Sequence, residues 1–250
     1  MIALTKRSQA LVPNESGYLV WNYRSEKVTT DPRRLAVVIC DMWDRNWSRA
    51  ANERAEPLAR QIDRFITRAR AAGMTVIHAP SETMKFYEGS PARVRVLAIE
   101  QAPFPVKRPH EDPPLPIDHS DGGSDTNLGN EKIHTAVWTR QCEAIHIDEE
   151  RDYISDDGAE IHSLMRARGV DTVLLCGVHT NMCILNRSFA IKSFASRGID
   201  IVLLRDLTDA LYNPGKSPYV SHDEGTALVI GYIEKFWCPT ATSAEILSGL

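Results

Sequence analysis

The chain has 250 residues, a mass of 28.0 kDa and a formal net charge of −4. Its composition, 43% hydrophobic and 25% charged, is typical of a globular protein and excludes a disordered chain, a coiled coil and a disulfide scaffold. Because 29 Lys and Arg residues nearly balance 33 Asp and Glu residues, we expect a small-molecule partner, with no nucleic acid and no membrane surface.

The cysteines and the N-terminal sequence give information about the cellular location of the protein. Five cysteines, an odd number without CxxC spacing, disfavour a disulfide framework and a structural zinc site. The opening MIALTKRSQALVPNESG lacks the apolar middle of a secretory signal, and no apolar run approaches the roughly 20 residues that cross a bilayer. The expected location is the cytoplasm, although a signal removed from a longer precursor would leave no trace.

The chain is interpreted as a single domain, residues 1–250, with an N-terminal extension of about residues 1–32 and an irregular insertion of about residues 80–135. LAVVICD, residues 35–41, predicts a buried strand that ends at an acidic residue. A helix is predicted over about 52–72, with Gly73 ending it and the apolar strand MTVIHAP following. The apolar stripe of this helix is Leu58, Ile62, Phe65, Ile66 and Ala69.

Residues 80–135 interrupt this pattern. They are rich in proline and charge and predict a long irregular insertion, either a lid or rim over a site or a subunit contact. Within it, DHSDGGSD has closely spaced oxygen ligands that suit Ca²⁺, but the spacing is not that of an EF-hand. A plain turn is the expectation there.

The second half repeats a helix, a glycine and an apolar strand. Asp156 or Asp157 is predicted to cap a helix that ends at Gly169, before the strand VDTVLLCG. Thr180 or Asn181 is predicted to cap the next helix, which ends before the strand IDIVLLRD. Its apolar residues are Ile184, Leu185, Phe189 and Ile191. The sequence therefore predicts an α/β fold, a three-layer α/β/α sandwich around a mostly parallel, doubly wound sheet of about six strands.

Ligands of such sheets bind beyond the carboxyl ends of the strands. There, CGVHTNMC runs from a buried strand into a helix that begins near Cys183. The N–H groups of a helix N-terminus lower a thiol pKa and can hold an oxyanion, so Cys183 is a candidate nucleophile. The alternative is a small buried hydrophobic residue, which is the interpretation we give to Cys40 and Cys176.

Asp41, at the end of the first strand, is a candidate proton acceptor for that thiol. The alternative is a helix cap or a loop partner of Arg45. Although Asp41 and Cys183 are far apart in sequence, both are expected at the carboxyl edge of the sheet, which favours a functional pairing.

Two motifs, VVICDMWD and RGVDTVLLCGVHTNMCI, resemble those of the isochorismatase-like cysteine hydrolases, which include nicotinamidases, N-carbamoylsarcosine amidases and isochorismatases. The resemblance covers about residues 33–235. It implies that Asp41 is the base and Cys183 the nucleophile, and that a cis peptide joins Val178 and His179. The backbone around Val178, His179 and Cys183 would hold the oxyanion. The resemblance also implies a homo-oligomer.

The sequence departs from the family pattern at the expected lysine. Counting back from Cys183 places that position at Glu150, in HIDEERDYISDDG. Two neighbouring carboxylates would raise one pKa, whereas the alternative is a solvated member of the acidic run 148–152. Other cations that folding could deliver are Arg151, Lys132, Lys85 and Arg140.

The nicotinamidase metal pattern is missing as well. His78 and Glu82 are two isolated candidate ligands, so no metal and no cofactor are expected. Aromatic residues near strand ends are candidates for the walls of a substrate pocket, with ordinary core packing as the alternative. These candidates are Trp43, Trp47, Tyr87, His179 and Tyr212.

The leading functional hypothesis is a hydrolase that cleaves a C–N bond of an amide-type small molecule through a thioester on Cys183. A second is isochorismatase-type hydrolysis, in which an acidic residue protonates the substrate and no thiol adduct forms. A third is a binding protein without catalytic activity that kept the fold after losing the lysine.

Overall fold

The computed structural model describes residues 1–126 and 136–250. Its strands are β1 (Ile2–Pro13), β2 (Leu19–Thr30), β3 (Leu35–Cys40), β4 (Thr75–Ala79), β5 (Tyr153–Ile154), β6 (Thr172–Val178), β7 (Asp200–Asp209) and β8 (Thr240–Ala241). Its α-helices are α1 (Arg49–Ala71), α2 (Pro91–Leu97), α3 (Gly158–Arg168), α4 (Cys183–Asn186), α5 (Ile191–Ser196), α6 (His222–Phe236) and α7 (Ser243–Ser248). None of these helices is long and apolar enough to cross a membrane.

The strands form one eight-stranded sheet in the order β2-β1-β8-β7-β6-β3-β4-β5. The pairs from β8 to β5 are parallel, whereas β1 is antiparallel to both β2 and β8. This confirms the predicted α/β sandwich. The sheet has eight strands, not about six, because the N-terminal extension folds into the β1–β2 hairpin on one edge.

Helices cover both faces of the sheet because successive residues of a buried strand point to opposite sides. In β3, Val37 and Ile39 pack against α1 and α7, whereas Ala36 and Val38 face the side covered by α3, α5 and α6. The predicted apolar stripe of α1 is buried on the first side. Asp157 caps α3, and Gly169 ends it with a φ of 68°.

The insertion is more regular than predicted. A short 3₁₀-helix, Met84–Tyr87, and α2 lie within residues 80–135, and residues 127–135 are outside the described part. In DHSDGGSD, Asp118 and Asp121 accept backbone N–H groups two residues ahead, as in a turn. Among the described residues, no three candidate ligands come together as a metal site.

The single helix predicted after Asn181 is wrong. α4 ends at Asn186, Arg187 is extended, and α5 begins only at Ile191. Neither predicted cap is used, because the Thr180 hydroxyl bonds to Thr208 and the Asn181 amide bonds to the backbone of Leu211.

Candidate active site

The carboxyl ends of β3 and β6 bring Asp41 and Cys183 together. β3 and β6 are parallel neighbours, so the residues that follow them emerge at the same edge of the sheet. Gly177 permits this approach, because any side chain there would collide with the carbonyl of Cys40. The Cys183 thiol lies close enough to the buried Asp41 carboxylate for each group to affect the pKa of the other.

Arg187 supplies the positive charge at this site. Its Nε donates to Oδ2 of Asp41 at 2.7 Å, and its Nη1 donates to Oε1 of Glu82 at 2.9 Å. The backbone N–H of Ser81 donates to Oδ1 of Asp41 at 2.7 Å. One guanidinium therefore bridges a buried carboxylate and a half-exposed one, directly beside the thiol.

Sequence reasoning missed Arg187. The sequence places Glu150 at the position of the family's lysine, and the other cations expected near the site were Arg151, Lys132, Lys85 and Arg140. The signal was the spacing of four residues between Cys183 and Arg187, which places two side chains on the same side of a helical turn. Because the chain becomes extended at Arg187, this arginine also marks the end of α4.

The backbone is unusual at both carboxylates that Arg187 holds. Asp41 has a φ of 49° and Glu82 a φ of 67°, in the left-handed region that side chains other than glycine rarely occupy. Such strained positions cluster at active and ligand-binding sites, because the surrounding structure must hold them in place.

Burial decides the protonation state of the thiol. The surrounding protein, and next the negative charge of Asp41, raise the pKa of Cys183 well above its usual value. Burial also raises the pKa of Asp41, although Arg187 opposes that effect. The expected low thiol pKa is therefore wrong, because a helix of four residues has too small a dipole to offset desolvation.

The Val178–His179 peptide is cis, as the resemblance implies. The His179 carbonyl accepts hydrogen bonds from Met182 and Ile184, and the Asp209 carbonyl accepts one from Thr180. Those N–H groups are thus engaged within the turn. Among the described residues, the N–H of Cys183, the first residue of α4, has no backbone acceptor.

A cavity of about 250 Å³ opens over Cys183. Trp43 and Trp138 form one wall, with stacked rings 4.0 Å apart. The Trp43 indole N–H donates to the carbonyl of Ser81, which fixes the ring beside Asp41. The remaining lining residues are Asn46, Trp47, Glu82, Ala136, His179, Met182, Cys183, Arg187 and Leu211.

The predicted pocket residues divide into two groups. Trp43, Trp47 and His179 line the cavity, whereas Tyr87 and Tyr212 do not. The Tyr87 hydroxyl accepts the backbone N–H of Gln141, and Tyr212 is fully buried in the core with its hydroxyl donating to the carbonyl of Lys216. Nearness to a strand end therefore misassigned two core tyrosines as substrate contacts.

The structure does not bring Glu150 to Cys183. Glu150 is exposed, and its backbone N–H donates to the carboxylate of Asp148. The alternative, a solvated member of an acidic surface run, describes its position. Arg151 pairs with Asp148, and Arg140 pairs with Glu143. Neither arginine lines the cavity, and Lys85 does not line it either. Lys132 lies outside the described residues.

Two histidines near the site, His78 and His179, are buried in the protein interior. His78 uses both ring nitrogens, one toward Gln141 at 3.0 Å and one toward Asp152 at 3.0 Å, so it has none left for a metal. Burial lowers the pKa of His179 to about 4, which keeps its ring neutral at pH 7. A partly buried ion cluster of Arg54, Asp125, Asp209 and His222 lies near His179.

The isochorismatase domain family model matches residues 35–217. The chain belongs to the isochorismatase family. This confirms the resemblance drawn from the two motifs. The matched segment of this isochorismatase-family protein contains Asp41, Cys183 and Arg187, and it excludes both strands of the N-terminal hairpin.

Solved structures show the same fold. The chain is similar to a cysteine hydrolase from Pseudomonas syringae pv. phaseolicola 1448A, with a TM-score of 0.53, 18% identity and coverage of 88% of this chain and 93% of that one. It is also similar to an isochorismatase from Pseudomonas putida KT2440, with a TM-score of 0.50, 11% identity and coverage of 87% and 92%. A comparison with curated proteins finds no match.

Proposed function

We propose that this chain is a cysteine hydrolase that cleaves a C–N bond of a small amide-type molecule through a thioester on Cys183. The observation that carries the proposal is the place of the Asp41 carboxylate, between the thiol and the Arg187 guanidinium. A desolvated carboxylate beside a thiol that opens to a cavity is a general base for a nucleophile.

In the first half of the reaction, the substrate carbonyl lies over Cys183. Asp41 accepts the thiol proton as the sulfur attacks the carbonyl carbon, so one C–S bond forms and the carbonyl π electrons move to oxygen. The N–H of Cys183 donates to that oxyanion. The proton transfer leaves the net charge of the pair unchanged, which avoids placing two negative charges side by side.

In the second half, protonated Asp41 gives its proton to the nitrogen of the leaving group. The C–N bond breaks, the amine departs and a thioester remains. Asp41 then accepts a proton from a water molecule that attacks the thioester. The C–S bond breaks, the sulfur recovers a proton, and a carboxylic acid leaves.

In this mechanism Arg187 replaces the missing lysine as the positive charge beside Asp41 and Cys183. A guanidinium stays protonated throughout the pH range of proteins, so Arg187 cannot shuttle protons. Its hydrogen bond instead keeps Asp41 ionised before attack, despite burial that raises the pKa of that carboxyl. Its charge also offsets the thiolate as the proton leaves the sulfur.

The cavity suits a small, flat substrate. Its volume of about 250 Å³ lies below the range of about 300 to 1,000 Å³ that accommodates drug-sized ligands. Three indole rings, those of Trp43, Trp47 and Trp138, supply flat apolar walls. Asn46 and Glu82 add polar groups to the lining.

The test is ammonia or amine release from a panel of small amides, with intact-mass detection of an acyl adduct on the protein. We expect turnover by the native protein and none by Cys183→Ala. Cys142→Ala is the matched control, because Cys142 is also partly exposed but does not line the cavity. Equal amide turnover in the native protein and Cys183→Ala would remove the thiol from the mechanism.

One observation favours a second candidate. The raised pKa of Asp41 suits a carboxylic acid that protonates its substrate, as isochorismatase-type vinyl-ether hydrolysis requires. In that reaction Cys183→Ala would keep its activity on a vinyl-ether substrate, and Asp41→Asn would lose it. Failure of the native protein on both substrate types would support a binding protein on the same fold.

A further inference from the structure

The β1–β2 hairpin leaves one long strand edge open. Its two strands pair over twelve consecutive positions without a register shift, from Ile2 opposite Thr30 to Pro13 opposite Leu19. β2 is the terminal strand of the sheet and contains no proline. Within residues 1–126 and 136–250, no strand pairs with its outer edge, so alternate N–H and C=O groups there lack strand partners.

The side chains of β2 are also unusually open. No residue of this strand is buried, and several large apolar side chains in or next to it are exposed. Tyr18 is 73% exposed, Leu19 66% and Tyr23 66%. A long and partly apolar edge of this kind promotes strand pairing with another chain.

The charges on the edge select the partner. Arg24 and Glu26 are exposed and lie on the same face of β2, one on each side of Ser25. In the described part of the chain, neither has an ion-pair partner. A strand that carries both signs on one face around a small central residue is complementary to an antiparallel copy of itself.

We propose that β2 pairs antiparallel with β2 of a second copy of this chain, about a two-fold axis through Ser25, and joins the two sheets into one. In this register Arg24 of each protomer lies opposite Glu26 of the other, which forms two symmetric ion pairs. Tyr23 lies opposite Lys27, a favourable cation–aromatic arrangement.

Neighbouring registers are disfavoured by charge. A two-fold axis perpendicular to the sheet pairs a central residue with itself. Centring the axis on Arg24, Glu26 or Lys27 would therefore place two like charges opposite each other, which destabilises a strand pair. Of the registers centred on residues 24–27, the one at Ser25 alone pairs opposite charges.

The interface lies away from the cavity. β1, β8 and β7 separate β2 from β6, and Cys183 follows β6. The hairpin also lies outside the segment that matches the family model. Oligomeric state and turnover can therefore be measured independently, and neither result predetermines the other.

The test is the molar mass of the full chain by light scattering and sedimentation equilibrium over a wide range of concentrations. The native protein should be a dimer, and Glu26→Arg should raise its dissociation constant about tenfold or more, because both ion pairs become repulsive. The double variant Arg24→Glu with Glu26→Arg should restore the dimer, since it exchanges the charges of each pair.

Glu15→Arg is the matched control, because it makes the same charge change in the exposed loop between β1 and β2. It should leave the dimer intact, and circular dichroism should show all variants folded. A monomeric native protein, a dimer insensitive to Glu26→Arg, or a double variant that stays monomeric while folded would each overturn the proposal.

Discussion

Nε of Arg187 lies 2.7 Å from Oδ2 of Asp41, and this contact joins the residue after β3 to the residue after α4. Asp41 is fully buried, so its negative charge depends on this neighbour. The arginine thus supplies a positive charge beside Asp41, where the family resemblance implies a lysine.

Arg187→Ala should therefore leave Asp41 as an uncompensated buried charge. We expect a loss of unfolding free energy on the order of 3 kcal/mol, together with a reduced but measurable kcat/KM. Without the nearby cation the pKa of Asp41 rises further, so the acidic limb of the kcat/KM profile should move to higher pH. Arg187→Lys keeps the charge and should recover part of the activity, and an unshifted limb in Arg187→Ala would contradict the assignment.

Glu82→Gln gives a contrasting result for the other carboxylate of Arg187. The Glu82 side chain is 52% exposed, so its ion pair is screened by solvent. We expect a change in unfolding free energy below about 1 kcal/mol, measured by urea denaturation. A destabilisation as large as that of Arg187→Ala would show that Glu82, and not Asp41, is the main partner of the guanidinium.

Asp41→Asn should separate thiol reactivity from catalysis. Burial and the neighbouring carboxylate raise the pKa of Cys183, so iodoacetamide should alkylate the native thiol slowly at pH 7 and faster as the pH rises. Removing the negative charge lowers that pKa and should speed alkylation at pH 8, while turnover is lost with the base. Cys183→Ser is the control that identifies the labelled site by mass spectrometry. Slower alkylation of Asp41→Asn would argue against contact between the two side chains.

His179 should make the free energy of unfolding depend on pH in the acidic range. Its folded pKa of about 4 lies below the unfolded value of 6.5, so between these values the unfolded chain binds an extra proton. The contribution of this residue to the free energy of unfolding is fully present above pH 6.5. It falls as the pH drops toward 4, by about 3 kcal/mol in total. Urea denaturation across this range should show a shallower loss for His179→Gln. An identical slope would mean that the ring is not buried in its neutral form.

The parts of the site predicted from sequence are those fixed by local patterns. The apolar strand before Asp41 and the strand-turn segment before Cys183 place both residues at one edge of a parallel sheet, and the structure has them there. The N-terminal hairpin carried no such pattern, because only Ile2 and Leu4 of β1 are buried and the other residues of the two strands are half-buried or exposed.

The remaining differences depend on tertiary surroundings. The pKa of Cys183 follows from how much protein encloses the sulfur, which the position of a helix start does not reveal. Tyr212 enters the core because Gly225 of α6 leaves room for its ring. Trp138 lines the cavity because its ring stacks on that of Trp43. The two tryptophans are far apart in sequence, so no local pattern predicts their contact.

Because the nucleophile and its cation stand on a single helical turn, five consecutive residues carry both charges of the proposed reaction. Because Glu150 is exposed and does not line the cavity, its substitution should leave that pair intact. Grafting Cys-x-x-x-Arg, with an aspartate at the end of the adjoining strand, onto a related scaffold whose lysine has been deleted would then transplant the whole electrostatic unit at once.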